Sequence, residues 1–108
     1  MIDFEKLEAT EIKNMRGGEG SVLANTFYDG RVRIMRATLK KGCSIGLHTH
    51  ETSSEVIYAL SGKAVLLEDG KEIEFKPGDC HYCPKGCAHS IKNVLNEDFV
   101  MLAVIPEQ

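Results

Sequence analysis

The chain contains four histidines, and two of them stand one residue apart in GLHTHETSSEVIYALSG, residues 46–62, with a glutamate five positions beyond the second. Side chains of a strand alternate between its faces, so His48 and His50 project the same way and aim two imidazoles at one point, with Thr49 turned away. Glu55 opens the next apolar run after the short loop ETSS, and from an antiparallel neighbour its carboxylate reaches that point too. Neutral imidazoles with one carboxylate suit a borderline first-row divalent cation. A lone histidine on such a strand is ordinarily a packed or surface residue, so a metal site needs a further ligand from elsewhere. The segment PKGCAHSIKN, residues 84–93, offers His89 just beyond its turn, and His81 lies on the strand before that turn.

These residues must be held by strands. From Ser21 onward the chain is a succession of short apolar, β-branched or alternating runs separated by turn dipeptides, and it carries no helical periodicity beyond a weak hint near the start. SVLANTFY and RVRIMRATL flank Asp29-Gly30, and KAVLLE and KEIEF flank Asp69-Gly70, which predicts two hairpins because Asp and Gly tolerate positive φ. CSIGLHTH, EVIYAL, DCHYC, CAHSIKN and DFVMLAV complete about nine predicted strands in an all-β sandwich or barrel. The glycine-rich GGEG at residues 17–20 lacks the Lys-Ser/Thr pair and helix of a phosphate loop and reads as a turn.

At 108 residues, with 43% hydrophobic and 27% charged side chains, the chain is expected to fold as one domain, with residues 1–20 leading into the barrel. A net charge of -3 without a basic run gives no footprint for nucleic acid or anionic membrane, which leaves a small molecule as the expected partner. The first fifteen residues lack the apolar core of a secretory signal and no later run approaches a bilayer span, so the cytoplasm is the expected compartment and Cys43, Cys80, Cys83 and Cys87 are expected to be reduced.

Cys80 and Cys83 form a C-x-x-C with Cys87 four residues on, yet a turn separates Cys83 from Cys87 and the other cysteine is distant, so buried or half-buried thiols are expected in preference to a zinc or redox site. Cys87 shares strand parity with His89 if the strand begins that early. Arg33 and Arg36 have opposite parity, so one of them can face inward toward a carboxylate, with solvated arginines as the plainer reading. Tyr58, His81 and Tyr82 are the remaining acid, base or hydrogen-bonding candidates, and none has a role assigned by the sequence.

Two longer patterns carry a resemblance. Gly42, His48, His50, Glu55 and Gly62 fall at the fixed positions of the first conserved motif of the cupin superfamily (residues 42–62), and Gly78, Pro84, Gly86, His89 and Asn93 at those of the second (residues 78–93). The 15 residues between the motifs are enough for the Asp69-Gly70 hairpin and resemble the compact spacing of small bacterial members. The resemblance implies a double-stranded β-helix, or jelly-roll barrel, with one divalent transition metal (Mn, Fe, Ni, Co or Zn) held at its mouth by His48, His50, Glu55 and His89. It also implies a homodimer, and either a metal-dependent enzyme of small-molecule metabolism (dioxygenase, decarboxylase or isomerase type) or a non-catalytic binding or sensing module. No catalytic residue follows from it.

Overall fold

Alternation along the strands builds the interior. Val22 and Ala24, Met35, Ala37 and Leu39, Ile57 and Ala59, and Phe99, Met101 and Ala103 are each two residues apart and each buried. Their strands can therefore bury one face only by packing against a second sheet. The computed structural model, which describes residues 1–108, contains ten strands: β1 (Ala9–Lys13), β2 (Ser21–Tyr28), β3 (Val32–Leu39), β4 (Ser44–Thr49), β5 (Glu55–Ser61), β6 (Ala64–Glu68), β7 (Lys71–Phe75), β8 (Cys80–Cys83), β9 (Ala88–Lys92) and β10 (Phe99–Pro106). They form a six-stranded sheet, β1-β2-β3-β10-β5-β8, and a four-stranded sheet, β4-β9-β6-β7, antiparallel throughout. The two inner faces share one apolar core, and the result is the all-β jelly roll that the sequence predicts.

Nine strands are predicted and the tenth is β1, which pairs with β2 from Ala9↔Asn25 to Lys13↔Ser21. Only Ile12 of its five residues is even partly buried, so this edge strand has no alternation to detect. The helical hint at the start resolves into two short 3-10 turns, Phe4–Lys6 and Met15–Gly17.

Both predicted hairpins form. At the β6–β7 turn Asp69 and Gly70 have φ of 51° and 75°, the paired positive values that a two-residue turn requires. The β2–β3 connection is looser: only Gly30 has positive φ, and Asp29 Oδ1 instead accepts from the backbone N–H of Arg31 and Val32 at 2.9 and 3.0 Å.

The placement of β5 corrects one expectation. Glu55 is not on an antiparallel neighbour of β4, because β4 pairs with β9 alone and β5 belongs to the other sheet. Its carboxylate meets the histidines by crossing the gap between the sheets.

Candidate metal centre

Ile45 pairs with Ile91, and both are buried in the core; three residues further along β4, but only two further along β9, His48 pairs with His89. The extra residue at Gly46 and Leu47 is a bulge that reverses the parity of β4. Leu47 is turned to solvent, 62% exposed, and His48 and His50 face inward. Gly46 is required there by close approach, since a Cβ on it would lie 2.1 Å from the carbonyl oxygen of Arg16. The segment after β1 therefore packs directly on the bulge, tied down by Glu19 N–H to Ser44 Oγ (2.8 Å) and by Ser44 N–H to the Glu19 carbonyl (2.9 Å).

Four side chains converge beneath it. The Nε2 atoms of His48, His50 and His89 form a triangle with edges of 3.2, 3.0 and 3.2 Å, and Glu55 Oε1 is 3.0 Å from Nε2 of both His50 and His89. All four ligand atoms lie within 4.8 Å of one another. Donors about 2.1 Å from one centre and at right angles stand about 3.0 Å apart, so one first-row cation can span this spacing. His50, Glu55 and His89 are buried and His48 half-buried. The His48 Nδ1–H donates to the Gly46 carbonyl at 2.8 Å, which leaves its Nε2 lone pair facing the cluster. His50 Nδ1 shares a 2.9 Å hydrogen bond with Ser53 Oγ.

Burial holds His48 below the usual imidazole range, with the nearby His89, His50 and Arg16 acting the same way against its bond to Gly46. Burial pushes the Glu55 carboxyl up, but the His50 and His89 imidazoles beside it outweigh that and hold the group at about 2. Three imidazoles and a carboxylate crowded in this way, largely away from water, form an electron-rich donor set that fits a cation.

Above the cluster lies a cavity walled by Met15, Met35, Ile45, Ile57 and Ile105, with Arg16 at its rim. The free volume within it is ≈ 30 Å³. Arg16 has a left-handed backbone (φ 54°), and none of the ion pairs in the protein engages its guanidinium.

The remaining candidates lie elsewhere. Arg36 faces out, bonded to Glu5 at 2.7 Å, and Arg33 stacks over the Tyr28 ring at 4.4 Å, so neither reaches the cavity. Tyr58 and Tyr82 are exposed on the outer face of the six-stranded sheet. His81 is buried behind His89, with its Nε2 2.9 Å from His89 Nδ1 and its Nδ1 2.6 Å from Glu68 Oε2. Of the cysteines expected to be buried or half-buried, Cys83 and Cys43 are, whereas Cys80 and Cys87 are exposed. Strand alternation turns Cys80 outward, and β9 begins only at Ala88, so Cys87 belongs to the turn. Arg16 and Glu68 went unassigned from sequence, since no local pattern marks either one.

A two-sheet jelly roll with three histidines and a glutamate gathered under a small cavity, spaced so that they could hold a metal ion, defines a class of barrel proteins. Residues 35–105 match the family model described as Cupin domain, and the chain belongs to that family. It is 40% identical over 111 residues to an oxalate-binding protein of Thermotoga maritima, covering 97% of this chain and 92% of the relative. It is 28% identical to the oxalate decarboxylase of Bacillus subtilis, over 96% of this chain but 29% of that protein. Among solved structures it superposes with a TM-score of 0.93 on a predicted oxalate decarboxylase of Thermotoga maritima, at 34% identity and over 100% and 99% of the two chains.

Proposed function

We propose that His48, His50, Glu55 and His89 hold one divalent first-row metal, and that the ion and Arg16 together bind a small carboxylate anion of the size of oxalate. The observation that carries this reading is the cavity. Each water needs roughly 10–15 Å³ of such space, so its ≈ 30 Å³ admits a ligand of only a few atoms. A metal bound there would supply a Lewis-acidic anchor for carboxylate oxygens. Arg16, unpaired at the rim, adds a fork of donors suited to a carboxylate, and the apolar walls keep competing water out. The similarity to an oxalate-binding protein points to the same ligand class.

Binding without turnover is the reading we favour between the two the sequence left open. Beyond the four cluster side chains the cavity lining has one ionisable group, Arg16, and one hydroxyl, Ser90, and so lacks a free carboxyl or imidazole to move a proton. The similarity to an oxalate decarboxylase favours turnover as the second reading. The chain works as one domain over residues 1–108, in a reducing cytoplasm that keeps its four cysteines as thiols. It pairs as a homodimer through the outer face of the six-stranded sheet, where Tyr58, Leu60 and Tyr82 are exposed.

Calorimetry with oxalate on protein loaded in turn with Mn, Fe, Co, Ni and Zn tests the reading, alongside a formate assay. One-to-one binding that disappears in His50→Ala, without formate, is expected. Formate release would establish turnover, and wild-type protein that takes up none of the five metals would end the proposal.

A further inference from the structure

Glu68, His81 and His89 form a chain of hydrogen bonds that enters the cluster from behind. Glu68 and His89 are register partners on β6 and β9, and His81 reaches them from β8 in the opposite sheet. His81 and His89 are each 3% exposed, whereas the Glu68 side chain is 40% exposed and lines an open cleft on the outside of the barrel wall. A charged end in water is thus joined through two buried rings to an atom of the cluster.

We propose that Glu68 and His81 are positioning residues that keep the ring proton of His89 on Nδ1 and so leave its Nε2 lone pair free to face the cluster. The argument is one of donors and acceptors. A carboxylate has no proton to give, so at 2.6 Å from Glu68 Oε2 it is His81 Nδ1 that donates. A neutral His81 then offers only a lone pair at Nε2, and His89 Nδ1, 2.9 Å away, must donate to it. Reversing the chain would put the proton on His89 Nε2, facing His48, His50 and the Glu55 carboxylate at 3.0 Å, where it blocks ligation; Glu55 is thus the acceptor that competes with His81 for this proton. Glu68 fixes the direction because it accepts only.

The other two rings are held differently. His48 is fixed by a backbone carbonyl, which likewise only accepts. His50 faces the Ser53 hydroxyl, which donates or accepts, so its outer partner leaves it free to carry its proton on either nitrogen and to supply one to Glu55 when no metal is bound. With Nε2 bound to a metal, His50 would carry its proton on Nδ1 and donate it to Ser53 Oγ. His89 is biased toward the Nδ1–H form by a chain that ends in an acceptor, against the pull of Glu55 on the same proton, and that form is the one preset for ligation.

The consequence for metal affinity rests on the proposed function, whereas the placement of the proton does not, and two measurements separate them. Ring-nitrogen NMR on the metal-free protein reports the His89 tautomer, and chelator competition reports Zn²⁺ or Co²⁺ affinity. In wild type and in His81→Gln, whose side-chain oxygen still accepts from Nδ1–H, His89 is expected as the Nδ1–H form. Glu68→Ala and His81→Phe are expected to populate the Nε2–H form and to weaken metal binding about 10- to 100-fold, with His81→Gln recovering most of the loss. Glu68→Ala removes a partly exposed side chain, so its unfolding temperature serves as the control for folding. Wild type that binds no metal while its His89 tautomer still follows Glu68 would remove the metal and leave the positioning role standing. A His89 tautomer indifferent to Glu68→Ala in a folded protein would overturn the proposal.

Discussion

Ile45 and His48 lie three residues apart in β4 and still point into the same interior, because the strand bulges between them at Gly46 and Leu47. Without the bulge, the parity that buries Ile45 would turn both His48 and His50 to solvent. The apolar core and the histidine cluster can share one short strand only because one extra residue separates them. That extra residue is also where the segment around Arg16 rests its backbone.

Gly46→Ala tests this junction. The new methyl would stand 2.1 Å from the Arg16 carbonyl oxygen and 2.9 Å from its carbon, and backbone atoms cannot give way as a flexible side chain can. Overpacking of this kind costs about 1–3 kcal/mol. Thermal unfolding is expected to fall accordingly, and metal affinity with it, because the carbonyl that holds His48 belongs to Gly46 itself. An unchanged unfolding temperature and unchanged affinity would mean that the Met15–Gly17 turn is free to move off the bulge.

Much of this arrangement could be read from sequence because its signals are local. The Asp69-Gly70 turn follows from two residues that tolerate positive φ, and the four converging side chains lie in the two short segments that carry the cupin resemblance, which implied them as a set. What escaped depends on contacts between distant segments. β1 is a strand only because β2 accepts its polar backbone, and Arg16 reaches the rim only through a left-handed turn resting on Gly46. Glu55 was expected beside β4 because hairpins join neighbours, whereas the chain here crosses to the other sheet between Thr49 and Glu55. His81 was singled out without a role, since its partner Glu68 lies 13 residues away on a strand of the opposite sheet.

Arg16→Ala is the variant expected to separate anion binding from metal binding. The Arg16 guanidinium is exposed and lines the cavity rim without belonging to the cluster, so Arg16→Ala is expected to leave metal affinity within a few-fold of wild type. Hydrogen bonds from a charged donor contribute about 1.5–3 kcal/mol, and exposure places Arg16 at the low end of that range. Oxalate affinity is therefore expected to fall about tenfold, and Arg16→Glu to fall further by repulsion. Calorimetry on metal-loaded protein measures both. Equal oxalate affinity in the three proteins would remove Arg16 from the site.

Acid should destabilise the metal-free protein in two stages. His48 and His81 are both held below their ordinary 6.5, first of all by burial, which disfavours the imidazolium. In the unfolded chain they take up protons from about 6.5 downward, so unfolding binds protons there and stability falls as the pH drops below that value. Glu55 is held at about 2 against an ordinary 4.5, so its contribution is present above 4.5 and is lost between 4.5 and 2. Thermal unfolding is expected to be level from pH 8 to 7, to decline below about 6.5 and to steepen below 4.5. A stability maximum near pH 5 would contradict both assignments.

The thiols should divide by strand face and not by their spacing in sequence. Cys80 and Cys83 look like a redox pair, yet three residues along a strand turn a side chain to the opposite face, and they are respectively exposed and 2% exposed. Burial, with the nearby Cys87 thiol and the Glu55 charge adding to it, pushes the Cys83 thiol up to about 11. At pH 8 only about one Cys83 in a thousand is then a thiolate, the form that reacts. A colorimetric disulfide reagent is expected to modify Cys87 quickly, to modify half-buried Cys43, and Cys80 beside Tyr58 on the proposed dimer face, more slowly, and to reach Cys83 only when the protein unfolds. Mass spectrometry of the partly modified protein identifies which thiol reacted. Rapid labelling of Cys83 in the folded protein, or an intramolecular Cys80–Cys83 disulfide under mild oxidation, would show that the β8 edge opens far more readily than its packing against β5 implies.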